Sequence, residues 1–349
     1  MSGLIRVLVI DDSAFVRKVV TQMLARSPFI DVVGAARDGQ EALEMVERLK
    51  PDVVTLDLVM PVMDGLEFLR RQMAIRPIAA VVCSISHESG AAALEAFELG
   101  AVEFIQKPTA LATDRVFEIA DELISKVKAA AAVRMASPPP AEKTPSVEPP
   151  AAAVVSATAR HADIVVIGIS TGGPQALRQL IPRFPADFPI PIAVVLHMPV
   201  GYTEMYAQRL NEVSALEVVE AKDGEPIRPG TMFLAPAGRH LSFRPYSDGT
   251  VRTHLDLRPA DTPHRPAVDV LFRSAADVYG ARVLGVVMTG MGNDGVVGAA
   301  HIKAQGGRIV TEDESSCIVY GMPRAVVEAF ISDRVATLTD MAGTITEMI

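Results

Sequence analysis

The chain has no tryptophan and only two cysteines, Cys83 and Cys317, among its 349 residues. Two distant thiols, each set among apolar or small residues, supply neither a disulfide framework nor a zinc ligand set. Both read as reduced core thiols. No HExxH segment and no clustered His/Cys spacing occurs, so neither catalytic zinc nor haem is implied. Positive charge is also in short supply: 33 Lys and Arg against 42 Asp and Glu leave a net charge of −9. A broad basic face of the kind that displaces counterions from nucleic acid is therefore not expected. Long apolar runs are missing as well. The opening MSGLIRVLVIDD meets acidic residues at once and has no small-residue cleavage site, which predicts a cytoplasmic chain without membrane insertion.

What remains is a globular composition, 49% hydrophobic and 21% charged. A chain of this length divides more readily into two cores than it builds one. The division is visible at residues 129–160, AAAAVRMASPPPAEKTPSVEPPAAAVVSATAR, where repeated proline favours extended backbone. The expected domains are residues 1–128 and 161–349, joined by this linker. Helix-forming Ala and Lys can prolong the preceding helix into it, and Pro138 to Pro140 must end that helix.

Before the linker, five apolar runs (IRVLVI, DVVGAA, DVVTLDLV, AAVVCSI, VEFIQ) alternate with five amphipathic stretches. This pattern predicts a (βα)5 domain with a parallel sheet covered on both faces. Asp38 with Glu41 suggests a capping box, and Gly100 a helix end. After the linker, DIVVIGIS, IAVVLHM and RVLGVVMTG, each followed by helical spacing, predict a second doubly wound, mainly parallel α/β domain. Residues 218–257 read as short strands and turns, an antiparallel edge or hairpin insertion.

Loops that follow parallel strands converge on one edge of the sheet. In the first domain that edge collects Asp11 and Asp12 after the first strand, Asp57 at the end of the third, Ser84 at the end of the fourth, and Lys107-Pro108 after the fifth. Three neighbouring carboxylates repel unless a cation compensates them, and an all-oxygen set suits Mg²⁺. Asp57 is then a nucleophile toward a phosphodonor, with Lys107 and the Ser84 hydroxyl contacting the added oxygens. Singly, each is an ordinary surface or strand-end residue; the full set is not. Together with MPVMDG at residues 60–65, it resembles the response-regulator receiver family across residues 4–128.

In the second domain, Gly168 to Gly173 (GISTGG) lies between a strand and a helix and matches G-x-S-x-G. That match is weak alone, because glycine-rich turns also bind phosphate or serve only as turns. A serine needs a base, and the base an orienting acid. His197 ends one strand, and Asp294 follows another, so both fall on the edge that holds Ser170. The order Ser, His, Asp differs from that of α/β-hydrolases, and the late His301 sits inside a predicted helix. Asp294 also suits a cap for the helix that follows it. His87, His161 and His254 read as surface residues, and His240 and His264 as groove lining, none with a comparable acid in the sequence.

The segments IVVIGISTGGPQAL, LHMP, HRPAVDVLF, MTGMGNDG and SCIVYGMPRA together resemble the catalytic domain of the chemotaxis protein-glutamate methylesterases, the CheB family, across residues 163–348. The resemblance implies a triad of Ser170, His197 and Asp294, with Thr171 nearby and the Met291 amide as oxyanion donor. It implies hydrolysis of glutamate γ-methyl esters on methyl-accepting chemoreceptors and deamidation of receptor glutamines, with no cofactor for the esterase. A chemotaxis histidine kinase is the implied phosphodonor for Asp57, and Mg²⁺ the receiver's cofactor. The receiver is expected to cover the esterase edge until phosphorylated. The alternative is a response regulator whose output half only binds a partner; a DNA-binding output lacks a basic recognition helix here.

Overall fold

The computed structural model describes residues 3–84, 90–107, 115–133 and 161–349, with backbone alone at 84, 106 and 115–118. Its first part runs β1 (Ile5–Ile10), α1 (Ala14–Leu24), β2 (Ile30–Ala36), α2 (Gly39–Leu49), β3 (Val53–Asp57), α3 (Gly65–Ile75), β4 (Ala79–Ser84), α4 (Gly90–Glu98), β5 (Glu103–Gln106) and α5 (Arg115–Ala132). The strands pair in parallel in the order β2-β1-β3-β4-β5. Side chains alternate along β1, so Val7 and Val9 enter one core and Leu8 and Ile10 the other. A strand with no polar face needs helices on both sides, and the parallel crossovers supply them.

The local signals hold, with one adjustment at the start of α2. Asp38 caps α2 by accepting the Glu41 N–H at 2.9 Å, but Glu41 reaches back to the Arg37 N–H, also at 2.9 Å, one residue before the position a standard capping box uses. Helix α5 continues to Ala132, with Ala129 and Ala130 buried in the N-terminal core. The first four residues assigned to the linker thus belong to α5, because alanine extends a helix until something stops it. Pro138 to Pro140, like His87 and Pro108, lie outside the described residues.

The second part runs β6 (Ile164–Ile169), α6 (Gly173–Leu180), β7 (Ile192–Leu196), α7 (Thr203–Val213), β8 (Glu217–Glu220), β9 (Thr231–Leu234), β10 (His240–Pro245), β11 (Val251–Asp256), α8 (Val268–Tyr279), β12 (Val283–Val287), α9 (Val296–Ala304), β13 (Arg308–Glu312), α10 (Met322–Glu328), β14 (Arg334–Ala336) and α11 (Leu338–Met348). Seven strands form a parallel sheet in the order β14-β13-β12-β6-β7-β9-β8. Only β10 and β11 make the antiparallel hairpin expected of residues 218–257. The earlier part of that stretch, β8 and β9, extends the parallel sheet instead. Parallel neighbours normally need a helical crossover, and residues 221–230 connect this pair without one, so the sequence shows no helix to signal it.

Successive strands switch from one side of the sheet to the other between β1 and β3 in the first and between β6 and β12 in the second. Such switch points leave a crevice at the carboxyl ends of the strands. The two parts also pack together. Leu94 of α4 joins the C-terminal core, Tyr202 joins the N-terminal one, and the Phe104 and Tyr202 rings lie 4.9 Å apart. The Gln175 amide donates to the carbonyls of Phe97 (3.2 Å) and Ala101 (2.9 Å), and Arg178 pairs with Glu98.

Candidate active site and phospho-acceptor site

At the first switch point, the buried Lys107 ammonium lies 2.6 Å from both Asp11 Oδ2 and Asp57 Oδ2. Asp12 is exposed beside them, and one oxygen from each of the three carboxylates falls within 4.8 Å of the others. Burial pushes the Asp57 carboxyl above its usual range, against the pull of Lys107. Burial alone would lower Lys107, but the hydrogen bonds and charges of Asp11 and Asp57 outweigh it and raise its pKa. The cluster is an acidic pocket of hard oxygen donors open to solvent on the Asp12 side, a donor set that fits a divalent cation of the magnesium type. Ser84 ends β4 on the same edge, paired with Gln106; its side chain lies outside the described residues.

At the second switch point, Ser170 follows β6 in a turn that a side chain at position 172 would break. Gly172 has φ +76 and its Cβ would meet Ile318 at 2.6 Å. Pro174 then sits in the first turn of α6, where its missing N–H costs nothing. The Ser170 N–H donates to the Thr289 carbonyl (3.0 Å), and the Thr289 hydroxyl to the Thr171 carbonyl (2.9 Å). A Cβ on Gly290 would lie 2.7 Å from Ser170 Cβ, so only glycine lets the β12 loop approach the nucleophile this closely. Met291 follows and lines the same cleft, of about 660 Å³, as Ser170, Thr171 and His197.

His197, after β7, bonds through Nε2 to Asp294 Oδ2 at 2.9 Å. Because an ionised Asp294 only accepts, Nε2 carries the proton and Nδ1 is the basic nitrogen. Nδ1 is buried with no hydrogen-bond partner. Ser170 and His197 make no direct hydrogen bond in this state, a looseness common in free enzymes. Burial raises the Asp294 carboxyl, but the His197 bond and charge and the N–H groups of Asp269 and Val268 outweigh it and hold it below the usual range.

Those N–H groups correct one expectation. Asp294 caps α8, accepting from Val268 (2.8 Å) and Asp269 (3.0 Å), rather than the helix that follows it. The start of α9 is served by Asp269, which accepts from Gly295 (3.0 Å) and Gly298 (2.6 Å). The two aspartates exchange helices, a pairing that linear spacing does not reveal.

His264, read as groove lining, does line the cleft, and further side chains enter the site that the sequence did not mark. His264 stacks on His197 with ring centroids 4.1 Å apart, and desolvation with the neighbouring His197 charge pushes its imidazole down. The wholly buried Glu312 carboxyl accepts the Thr289 N–H (2.8 Å) and the Ser316 hydroxyl (3.0 Å), anchoring the residue that holds Ser170. Glu103 and Lys126, from the N-terminal part, line the cleft too. His254, read as lacking an acid partner, contacts Asp223 (3.1 Å), and His301, within α9 as expected, contacts Asp277 (2.7 Å), both at the surface.

Residues 165–345 match the family model described as CheB methylesterase, and residues 7–116 that of the response regulator receiver domain. A protein-glutamate methylesterase/protein-glutamine glutaminase 5 of Myxococcus xanthus is 52% identical, covering 97% of this chain and 96% of its own. The chain belongs to the CheB methylesterase family. A protein-glutamate methylesterase/protein-glutamine glutaminase of Symbiobacterium thermophilum is 46% identical over 99% of this chain and 97% of its own. The crystal structure of the Thermotoga maritima CheB methylesterase catalytic domain, 41% identical, matches 54% of this chain and 99% of that one at a TM-score of 0.52. The CheB match falls on the sheet that holds Ser170, and the receiver match on the acidic pocket. Among the described residues, no helix is long and apolar enough to cross a membrane.

Proposed function

We propose that Ser170, His197 and Asp294 are the catalytic triad of a phosphorylation-controlled protein-glutamate methylesterase, with protein-glutamine deamidation as its second activity. The observation that carries this reading is the 2.9 Å bond between His197 and Asp294, at the strand edge where Ser170 also stands. A binding-only output would not need a buried imidazole fixed in one tautomer with its basic nitrogen unpaired.

In the reaction, His197 Nδ1 takes the Ser170 proton as the hydroxyl oxygen attacks the ester carbonyl. The Met291 N–H, in the loop that Gly290 brings against Ser170, holds the developing oxyanion. His197 returns the proton to the leaving methoxide, releasing methanol; with a glutamine substrate, ammonia leaves instead. Water, deprotonated by the same nitrogen, then frees the glutamate and restores Ser170. Asp294 stabilises the imidazolium in both halves.

In the receiver, Asp57 accepts the phosphoryl group from a chemotaxis histidine kinase, and Lys107, with Ser84, contacts its oxygens. A Mg²⁺ ion held by Asp11, Asp12 and Asp57 would neutralise charge on the transferring group. Methyl-accepting chemoreceptors are the substrates, met in the cytoplasm. The domain limits follow the same reading: a receiver that ends with α5, residues up to 160 as linker, and the esterase beyond. Treatment with a fluorophosphonate tests the triad: Ser170 should carry the adduct, and His197→Gln should lose it. An adduct on another serine, or none in the wild type, would rule the assignment out.

A further inference from the structure

We propose that the Thr171 hydroxyl anchors the glutamyl head group of the substrate, and that in the resting chain Glu103 occupies this subsite as an internal copy of the product. The inference rests on the esterase reading above and concerns which group fills its cleft.

Thr171 adjoins the nucleophile and is buried, and its hydroxyl donates to Glu103 Oε1 at 2.5 Å. Glu103 belongs to the other domain, yet it lines the same cleft as Ser170, Thr171 and His197. A γ-carboxylate therefore stands beside the nucleophile, and a γ-carboxylate is what hydrolysis of a glutamate γ-ester leaves behind. A carboxylate is costly to desolvate unless its oxygens are served. Both are: Oε1 by Thr171, and Oε2 by the Phe104 N–H at 3.1 Å and the Lys126 ammonium at 3.3 Å. Docking does not require this contact. Gln175 with the α4 carbonyls, Arg178 with Glu98, and Phe104 with Tyr202 already join the domains. Glu103 also begins β5, and Lys107, which binds Asp57, follows the other end of that strand. Movement of Lys107 toward a phosphoryl group on Asp57 thus acts on the strand that carries the blocking carboxylate.

The test uses the full-length unphosphorylated chain, a fluorophosphonate probe of Ser170, and a peptide ending in the free glutamate product as a competitor. Glu103→Ala should label about tenfold faster than wild type, the size of one charge-assisted hydrogen bond released. The isosteric Glu103→Gln should move the same way with an unchanged melting temperature. The product peptide should protect Glu103→Ala at lower concentration than wild type, and Thr171→Val in that background should abolish the gain. Arg178→Ala, which loosens the interface outside the cleft, should leave product protection unaltered. If Glu103→Ala labels at the wild-type rate, or if Arg178→Ala reproduces both effects, the subsite proposal is wrong while the esterase reading stands. If Ser170 labels in no variant, both are wrong.

Discussion

Replacing Asp294 by Asn separates the charge of the acid from the tautomer it sets. The carboxylate serves three donors: Oδ2 accepts from His197 Nε2 (2.9 Å) and Val268 N (2.8 Å), and Oδ1 from Asp269 N (3.0 Å). Asn has one oxygen. Placed at the Oδ2 position, it keeps the His197 and Val268 bonds and leaves only Asp269 facing the amide NH₂. Placed at Oδ1, it keeps Asp269 alone and turns NH₂ toward His197, inverting the tautomer so that Nδ1 is no longer basic. The first orientation leaves one buried donor unpaired, the Asp269 N–H, whereas the second leaves two, the Val268 N–H and a protonated Nδ1 that has no partner, so the first should prevail. The catalytic loss is then that of a charge-assisted bond to the imidazolium, about 1.5–3 kcal/mol, or roughly 10- to 150-fold in kcat. Tautomer inversion in a serine-protease triad costs about 10⁴. Methanol release should show the smaller loss with KM little changed, and urea unfolding a destabilisation of about 1–3 kcal/mol from the unpaired Asp269 N–H. A loss near 10⁴ would refute the counting of bonds, and full activity would refute the role of Asp294.

The same carboxylate has a pH signature. Its folded pKa is depressed from 3.8, so its contribution to stability is present above about pH 4 and is lost as pH falls through the folded value. Wild type and Asp294→Asn should converge in unfolding free energy toward acid. Lys107→Ala leaves Asp11 and Asp57 buried and facing each other, and should cost about 3–5 kcal/mol in metal-free buffer, with partial recovery when Mg²⁺ is added. Calorimetry with and without the ion checks this. Gly290→Ala drives a methyl to 2.7 Å from Ser170 Cβ and 2.5 Å from Met322 Sδ, so it should lower kcat and slow Ser170 labelling while Asp57 phosphorylation proceeds normally.

Much of this architecture was legible because parallel strands buried on both faces read as continuous apolar runs, and β1 occupies the six residues of IRVLVI. Strand ends then located Asp11, Asp57, Lys107, Ser170, His197 and Asp294, since a residue after such a strand has one edge on which to lie. What escaped was set by contacts across long sequence separations. The exchange of helix caps between Asp294 and Asp269 needs α8 and α9 packed side by side. The parallel placement of β8 and β9 has no crossover helix to announce it. Glu103 reads as a polar residue at the start of a short strand, and only the docking of two domains makes it a neighbour of Ser170. Glu312 similarly looks like a solvated strand end until Thr289 is seen to cover it.

The central claim is that Ser170 performs the hydrolysis and that Asp57 governs it. Methanol release from methylated chemoreceptors, measured with and without a small phosphodonor, addresses both halves at once. Wild type should release methanol faster after phosphodonor is added, Asp57→Ala should show only the basal rate, and Ser170→Ala none under either condition. Methanol release by Ser170→Ala at the wild-type rate, or undiminished stimulation of Asp57→Ala, would contradict the account.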